Sequence, residues 1–130
     1  MAFPSPLLVA VIGHLLSQPV VVDGDTLRAG AETYRVENID APERGWRAEC
    51  PEERALAEAA HAYVVTWIAN ASAVDAHSIG RTDRYGRVVA RIEVDGVDLG
   101  ERLIARGLAQ PWRGRKADFC SPAYLLPAAR

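Results

Sequence analysis

Apolar and polar positions along the chain change period twice, and the changes mark out its elements. Val20 to Val22 is a β-branched run that Asp23-Gly24 interrupts and Thr26-Leu27-Arg28 resumes. Ala29-Gly30-Ala31 suits a tight reversal into a third strand, Glu32 to Ile39, and Pro42 ends it. A helical period follows in "ECPEERALAEAAHAYVVTWIANA". Pro51 suits the first turn, and Glu52 and Glu53 suit the positive end of the helix dipole. Leu56, Ala60, Tyr63, Val64 and Trp67 recur at helical spacing and predict a buried stripe, with His61 on the surface or partly buried and without a catalytic role.

The period then returns to two. "SAVDAHSIG" predicts a short strand and "RTDRYGR" a turn built on Asp83 and Gly86. In "RVVARIEV" Val88, Ala90, Ile92 and Val94 share one face, leaving Arg87, Arg91 and Glu93 on the other. Asp95-Gly96 reverses the chain, Asp98 with Glu101 forms a capping box for a short helix, and Gly107 ends it. The order is three strands, a helix at about 51–70, two strands and a helix at about 99–106. That order predicts an α+β, mainly β fold, an OB-fold five-stranded barrel with one main and one short helix. Two prolines argue against a helix in "FCSPAYLLPAAR".

At 130 residues the chain suits one domain, expected over 19–116. Residues 1–18 form an apolar leader or first strand, and 117–130 a C-terminal tail. "PLLVAVIGHLL" is too short to span a bilayer, and no Lys or Arg precedes Arg28 to make the basic start of an export signal. With 15 basic and 17 acidic residues the net charge is −2, so any attraction to phosphate must come from locally grouped cations. Cys50 and Cys120 cannot make a structural zinc site alone, and His14, His61 and His77 lack ligand spacing. A disulfide and two free thiols remain open.

Four short signals carry candidate chemistry: "DGDT" at 23–26, Arg35 in "YRV", "IDAPE" at 39–43 and "TDRYGR" at 82–87. Asp25 and Asp40 are hard oxygen donors suited to Ca²⁺ or Mg²⁺, and Ala41 can add a backbone carbonyl. Arg35 and Arg87 are permanently charged forks that match phosphate oxygens. Glu43 is left to orient or deprotonate a water. Phosphodiester hydrolysis needs such a set: cations for developing negative charge and an activated in-line water. An extended chain from Arg35 to Glu43 would span about 26 Å, so the strand must curve and Pro42 must turn the chain back.

Taken jointly, "DGDT", "IDAPE" and "TDRYGR" resemble the staphylococcal nuclease-like (thermonuclease) family, from about Val20 to Trp112. The resemblance implies calcium ligation by Asp25, Asp40 and the Ala41 carbonyl, phosphate clamping by Arg35 and Arg87, and Glu43 as general base. It implies that Arg84 and Tyr85 contact another phosphate and the sugar, and that DNA and RNA are cut to leave 3′-phosphate ends. The hairpin between Asp25 and Arg35 is shorter than in the best-known members, and their third helix is missing. "QPWRGRK" stands where those members carry tyrosines, making Trp112 a candidate for base stacking and equally for a lid or core tryptophan. In such a fold Cys50 and Cys120 would both lie near the rim of the site, which suggests a disulfide that ties down the C-terminal segment.

The function expected is therefore that of a Ca²⁺-dependent endonuclease, a monomer acting on single-stranded or denatured DNA and on RNA. Its location is expected to be secreted or periplasmic, otherwise cytoplasmic. Two rivals stand beside it. One is a catalytically inactive OB-fold module that binds nucleic acid or protein. The other is an export or envelope domain with a structural calcium ion, which would leave both arginines idle.

Overall fold

The computed structural model describes residues 13–121. Among them are nine strands: β1 His14–Leu15, β2 Val20–Asp23, β3 Thr26–Ala29, β4 Glu32–Val36, β5 Ile39–Asp40, β6 Val74–Thr82, β7 Val88–Val94, β8 Val97–Asp98 and β9 Gln110–Pro111. Two helices, α1 Pro51–Ala69 and α2 Leu99–Ala105, and a 3₁₀ turn at Gly45–Arg47 complete the set. The main sheet runs β1-β6-β7-β4-β3-β2 with β8 on β7, and β5 pairs with β9 in a second ladder. β4 and β7 run parallel, and every other pairing is antiparallel.

β1 and β2 stand at opposite ends of the strand order, yet only residues 16–19 separate them in the chain. That short link curls the sheet towards itself into a half-barrel, the OB-like α+β arrangement expected from the strand pattern. Leu27, Val36, Ile39, Ile92, Val94, Leu99 and Leu103 are fully buried within the curl. Helix α1 covers it with Ala57, Ala60 and Val64, together with Glu53. Its buried face is rotated from the expected stripe, because Ala57 is buried where Leu56 is only half-buried. Small side chains let the helix approach the β2–β3 turn: a Cβ on Gly24 would lie 3.4 Å from that of Ala60 and 3.2 Å from that of Ala41.

Two expectations about strands change. β6 is the longest strand rather than a short one, because a register shift between Ser78 and Thr82 lets pairing with β7 resume at Thr82↔Val88. The strand expected over 32–39 is split in two. At the break the Glu37 N–H donates to Ala90 O (2.8 Å), Asn38 Nδ2 donates to Asp98 Oδ1 (3.2 Å), and Asn38 O accepts from Trp112 N (3.1 Å). These bonds let the chain leave β7 and pair with β9 instead. At α2, the expected cap is present, with Asp98 accepting from the Glu101 N–H.

Cys50 and Cys120 form a disulfide across a sequence separation of 70 residues. In the chain-entropy model, closing a loop of this length stabilises the fold by about 4 kcal/mol. Urea unfolding of the Cys50→Ser/Cys120→Ser variant is expected to show a loss of about that size, a large share of a typical domain's stability. Thiol titration of the unreduced protein should find neither cysteine free. Two titratable thiols, or equal midpoints for both proteins, would contradict the cross-link.

Candidate active site

Three charged side chains, from the β2–β3 turn, β4 and β5, converge at one end of the half-barrel. Asp25, in the β2–β3 turn, is buried; its Oδ2 accepts the Ala41 N–H at 2.9 Å and its Oδ1 accepts the Thr26 hydroxyl at 3.0 Å. Gly24 makes this approach possible, because it has no Cβ to press on Ala41. Arg35, on β4 opposite Thr26, reaches Asp25 Oδ2 at 3.6 Å and Asp40 Oδ1 at 4.0 Å. Its Nη1 also donates to Val36 O and Ile39 O, the latter at 2.9 Å, which bends the strand end round the guanidinium. Burial, and then the neighbouring Asp25 charge, push the Asp40 carboxyl above the ordinary range, against the pull of the Ala117 amide, Lys116 and Arg35.

Glu43 lies beyond Pro42 and is held from several sides. Arg47 Nε is 3.4 Å from its Oε1, Lys116 Nζ is 3.3 Å from its Oε2, and its N–H donates to Glu53 Oε2 at 2.8 Å. The segment carrying Lys116 also places the Ala117 N–H on Asp40 Oδ2 at 2.6 Å. Asp40 and Glu43 are thus linked through residues far away in sequence.

The second arginine comes from the β6–β7 turn. Asp83 Oδ1 accepts the N–H groups of Tyr85 (2.9 Å) and Arg87 (3.0 Å), and Asp83 Oδ2 accepts Arg87 Nε at 2.6 Å. Tyr85 is exposed and flanked by two guanidinium groups, with Arg84 Cζ 5.0 Å and Arg87 Cζ 5.3 Å from its ring centroid. Because β4 pairs with β7, both arginines face one groove of about 440 Å³, shared with Arg81, Arg84, Tyr85 and Trp112. Trp112 is exposed, and Arg35 Cζ stands 5.6 Å from its ring. The lining does not include Asp25, Asp40 or Glu43, so Arg35 is the contact between groove and carboxylates.

A family model described as staphylococcal nuclease homologue matches residues 33–124. The chain belongs to this family. The match relates this staphylococcal nuclease homologue to nucleases and to nucleic-acid binding, on the OB-like fold described above. No curated protein matches the chain. The matched stretch contains Arg35, Asp40, Glu43 and Arg87 but begins after Asp25, whose place beside them is a matter of geometry alone.

Sequence reasoning gave no site role to Asp23, Arg47 or Glu53. Asp23 lies in the same "DGDT" motif and binds Arg47 Nη2 at 3.1 Å; burial and the Asp25 charge raise its pKa. Arg47 itself and Glu53 lay in segments read as loop or helix start, and only tertiary contacts bring them to Glu43. Glu49, Glu53 and Cys120 also cluster, but the sulfur is spent in the disulfide and supplies no thiolate.

Asp83 gives a test of how Arg87 is held. Burial opposes its ionisation, yet the Arg87 and Tyr85 amides and the Arg87 guanidinium keep its carboxyl below the ordinary value of 3.8. The folded state therefore binds this proton less tightly than the unfolded chain. Its stabilisation is complete above the unfolded pKa and fades as pH falls through the lower folded value. Asp83→Asn is expected to lower Tm at pH 7, with the gap to wild type narrowing below about pH 4. A gap that stayed constant across thermal melts from pH 7 to about pH 3 would assign the loss to turn geometry instead.

Proposed function

We propose that this protein is a calcium-dependent phosphodiesterase that cuts single-stranded or denatured DNA and RNA, leaving 3′-phosphate ends. The observation that carries the reading is Arg35, which shares one groove with Arg87 and at the same time touches Asp25 and Asp40. The donor set fits a hard divalent cation: two buried carboxylates stand on one arginine, and burial with a like charge raises the Asp40 pKa, which a bound cation would offset. Asp25, Asp40 and the Ala41 carbonyl would hold the ion, which when bound polarises the phosphate as a Lewis acid.

The chain's own residues supply the remaining steps. Arg35 and Arg87 bind the scissile phosphate and oppose the charge that grows on its oxygens. Glu43 takes a proton from the attacking water, with Arg47 and Lys116 fixing its two oxygens. Arg84 and Tyr85 meet the next phosphate and sugar, and Trp112 stacks on a base. The domain expected over 19–116 carries the activity as a monomer, and Cys120 ties the start of the tail expected over 117–130, whose residues from 122 on lie outside the described ones. A disulfide persists best in an oxidising compartment, which favours a secreted or periplasmic location.

Purified protein with millimolar Ca²⁺ is expected to degrade denatured DNA and RNA between pH 7 and 10 and to stop on chelation. Glu43→Gln and Arg87→Ala should each lower kcat by about 10²-fold or more while largely preserving the fold. Calcium at about a hundredfold its Kd should stabilise wild type by about 2.7 kcal/mol, and this gain should vanish in Asp40→Asn. Intact substrates under all these conditions would replace the enzyme with an inactive OB-fold module.

A further inference from the structure

We propose that Glu53 is a positioning residue for Glu43, a single buried carboxylate that pins both ends of the loop on which the general base stands. The inference rests on the hydrolytic reading above. Glu53 lies in the first turn of α1, where its neighbour Glu52 does what a helix-start glutamate usually does and stays exposed. Glu53 instead turns inwards and is 1% exposed. Its Oε2 accepts the Glu43 N–H at 2.8 Å and its Oε1 accepts the Glu49 N–H at 2.9 Å. Lys116 Nζ stands 3.5 Å from Oε2 and reaches Glu43 as well.

Burial of a carboxylate is unfavourable unless its oxygens are hydrogen-bonded and its charge is paired. Capping the helix does not require it, because Cys50 Sγ already accepts the Glu53 N–H. The loop between the two pinned amides does require something. Its 3₁₀ turn contains no buried residue, Gly45 has φ of 60°, and Trp46 is 89% exposed. Core packing therefore fixes none of that turn. Ties at its outer side, Arg44 to Glu58 and Arg54 to Gly45 O, leave the Glu43 and Glu49 amides to Glu53. The disulfide holds the Lys116 segment at the same place, so the cation that faces Glu43 is oriented by the carboxylate that holds its backbone.

Glu53→Gln separates this role from packing. The variant keeps the size of the side chain but puts an NH2 donor where one of the two oxygens stood, so one of the two amides, each held on its own oxygen, loses its acceptor. Hydrogen exchange at the Glu43 or Glu49 amide is expected to quicken by about tenfold or more. In folded protein kcat should fall by about tenfold or more, with KM within about threefold of wild type. Glu53→Asp, one methylene shorter, keeps the charge for Lys116 and serves if the glutamine variant does not fold. Unchanged kcat in both variants, a loss confined to KM, or a fall in kcat with exchange unaltered would overturn the proposal. An inactive wild type would overturn the hydrolytic reading, and exchange at Glu43 and Glu49 would then decide whether Glu53 pins the loop.

Discussion

The parallel pairing of β4 with β7 joins two ladders that would otherwise be separate. On one side lie β2, β3 and β4, and on the other β7, β6, β1 and β8. The other pairings of the main sheet complete one ladder or the other, so this pairing is where the long-range topology is decided. It is also a demanding contact to form, because a parallel neighbour requires a crossover, supplied here by α1 and β6. Tyr34, Arg35 and Val36 face Val88, Val89 and Ala90 across it, and the Glu37 N–H extends it to Ala90 O. Arg35 and the Arg87 turn become neighbours only through this register, and a slip by one residue would send Arg35 to the other face.

Charge is arranged in layers around that seam. Arginines and aromatic rings face the groove, while Asp25 and Asp40 stand behind Arg35 in a buried row. Glu43 and Glu53 follow, with Lys116 and Arg47 against them. Burial, and then the Asp25 charge beside them, raise the proton affinity of Asp40 and Asp23. Lys116 answers it in kind: burial works against its charge, but Glu43, Asp40 and Glu53 raise its pKa. The cluster is thus held by mutual compensation, and each cation contacts more than one acid.

What the chain discloses about itself depends on how local the determining contact is. Asp25, Arg35, Asp40, Ala41 and Glu43 could be singled out because they stand in short motifs at turns and strand ends within 25–43. Helix α1 was legible from its period and its Pro51 start, although its buried face settled on Ala57 once Gly24 let the backbones close up. β5 and β9 were not, since strands of two residues have no periodicity to read. Glu37 and Asn38, read as part of one strand, are residues of a break, bonded to Ala90, Asp98 and Trp112. Glu53 shows the limit most sharply. Its sequence context fits an exposed helix start, and only tertiary neighbours 10 and 67 positions away in the chain bring it close to Glu43 and Cys120.

The disulfide divides the molecule in a way that strand order does not. Between Cys50 and Cys120 the chain is a closed ring that contains α1, β6, β7, β8, α2 and β9. The β2–β3–β4 meander and β5, with Asp25, Arg35 and Asp40, lie outside that ring, whereas Arg87, Trp112 and Lys116 lie within it. The cross-link therefore restrains one half of the site's residues directly and the other half through hydrogen bonds and packing alone. A partial opening that peels the meander from β7 needs no covalent change, and it would part the two arginines while the ring stayed whole. The groove is a joint between a hooped body and an unhooped leaf, and no covalent cross-link spans the line between its two walls.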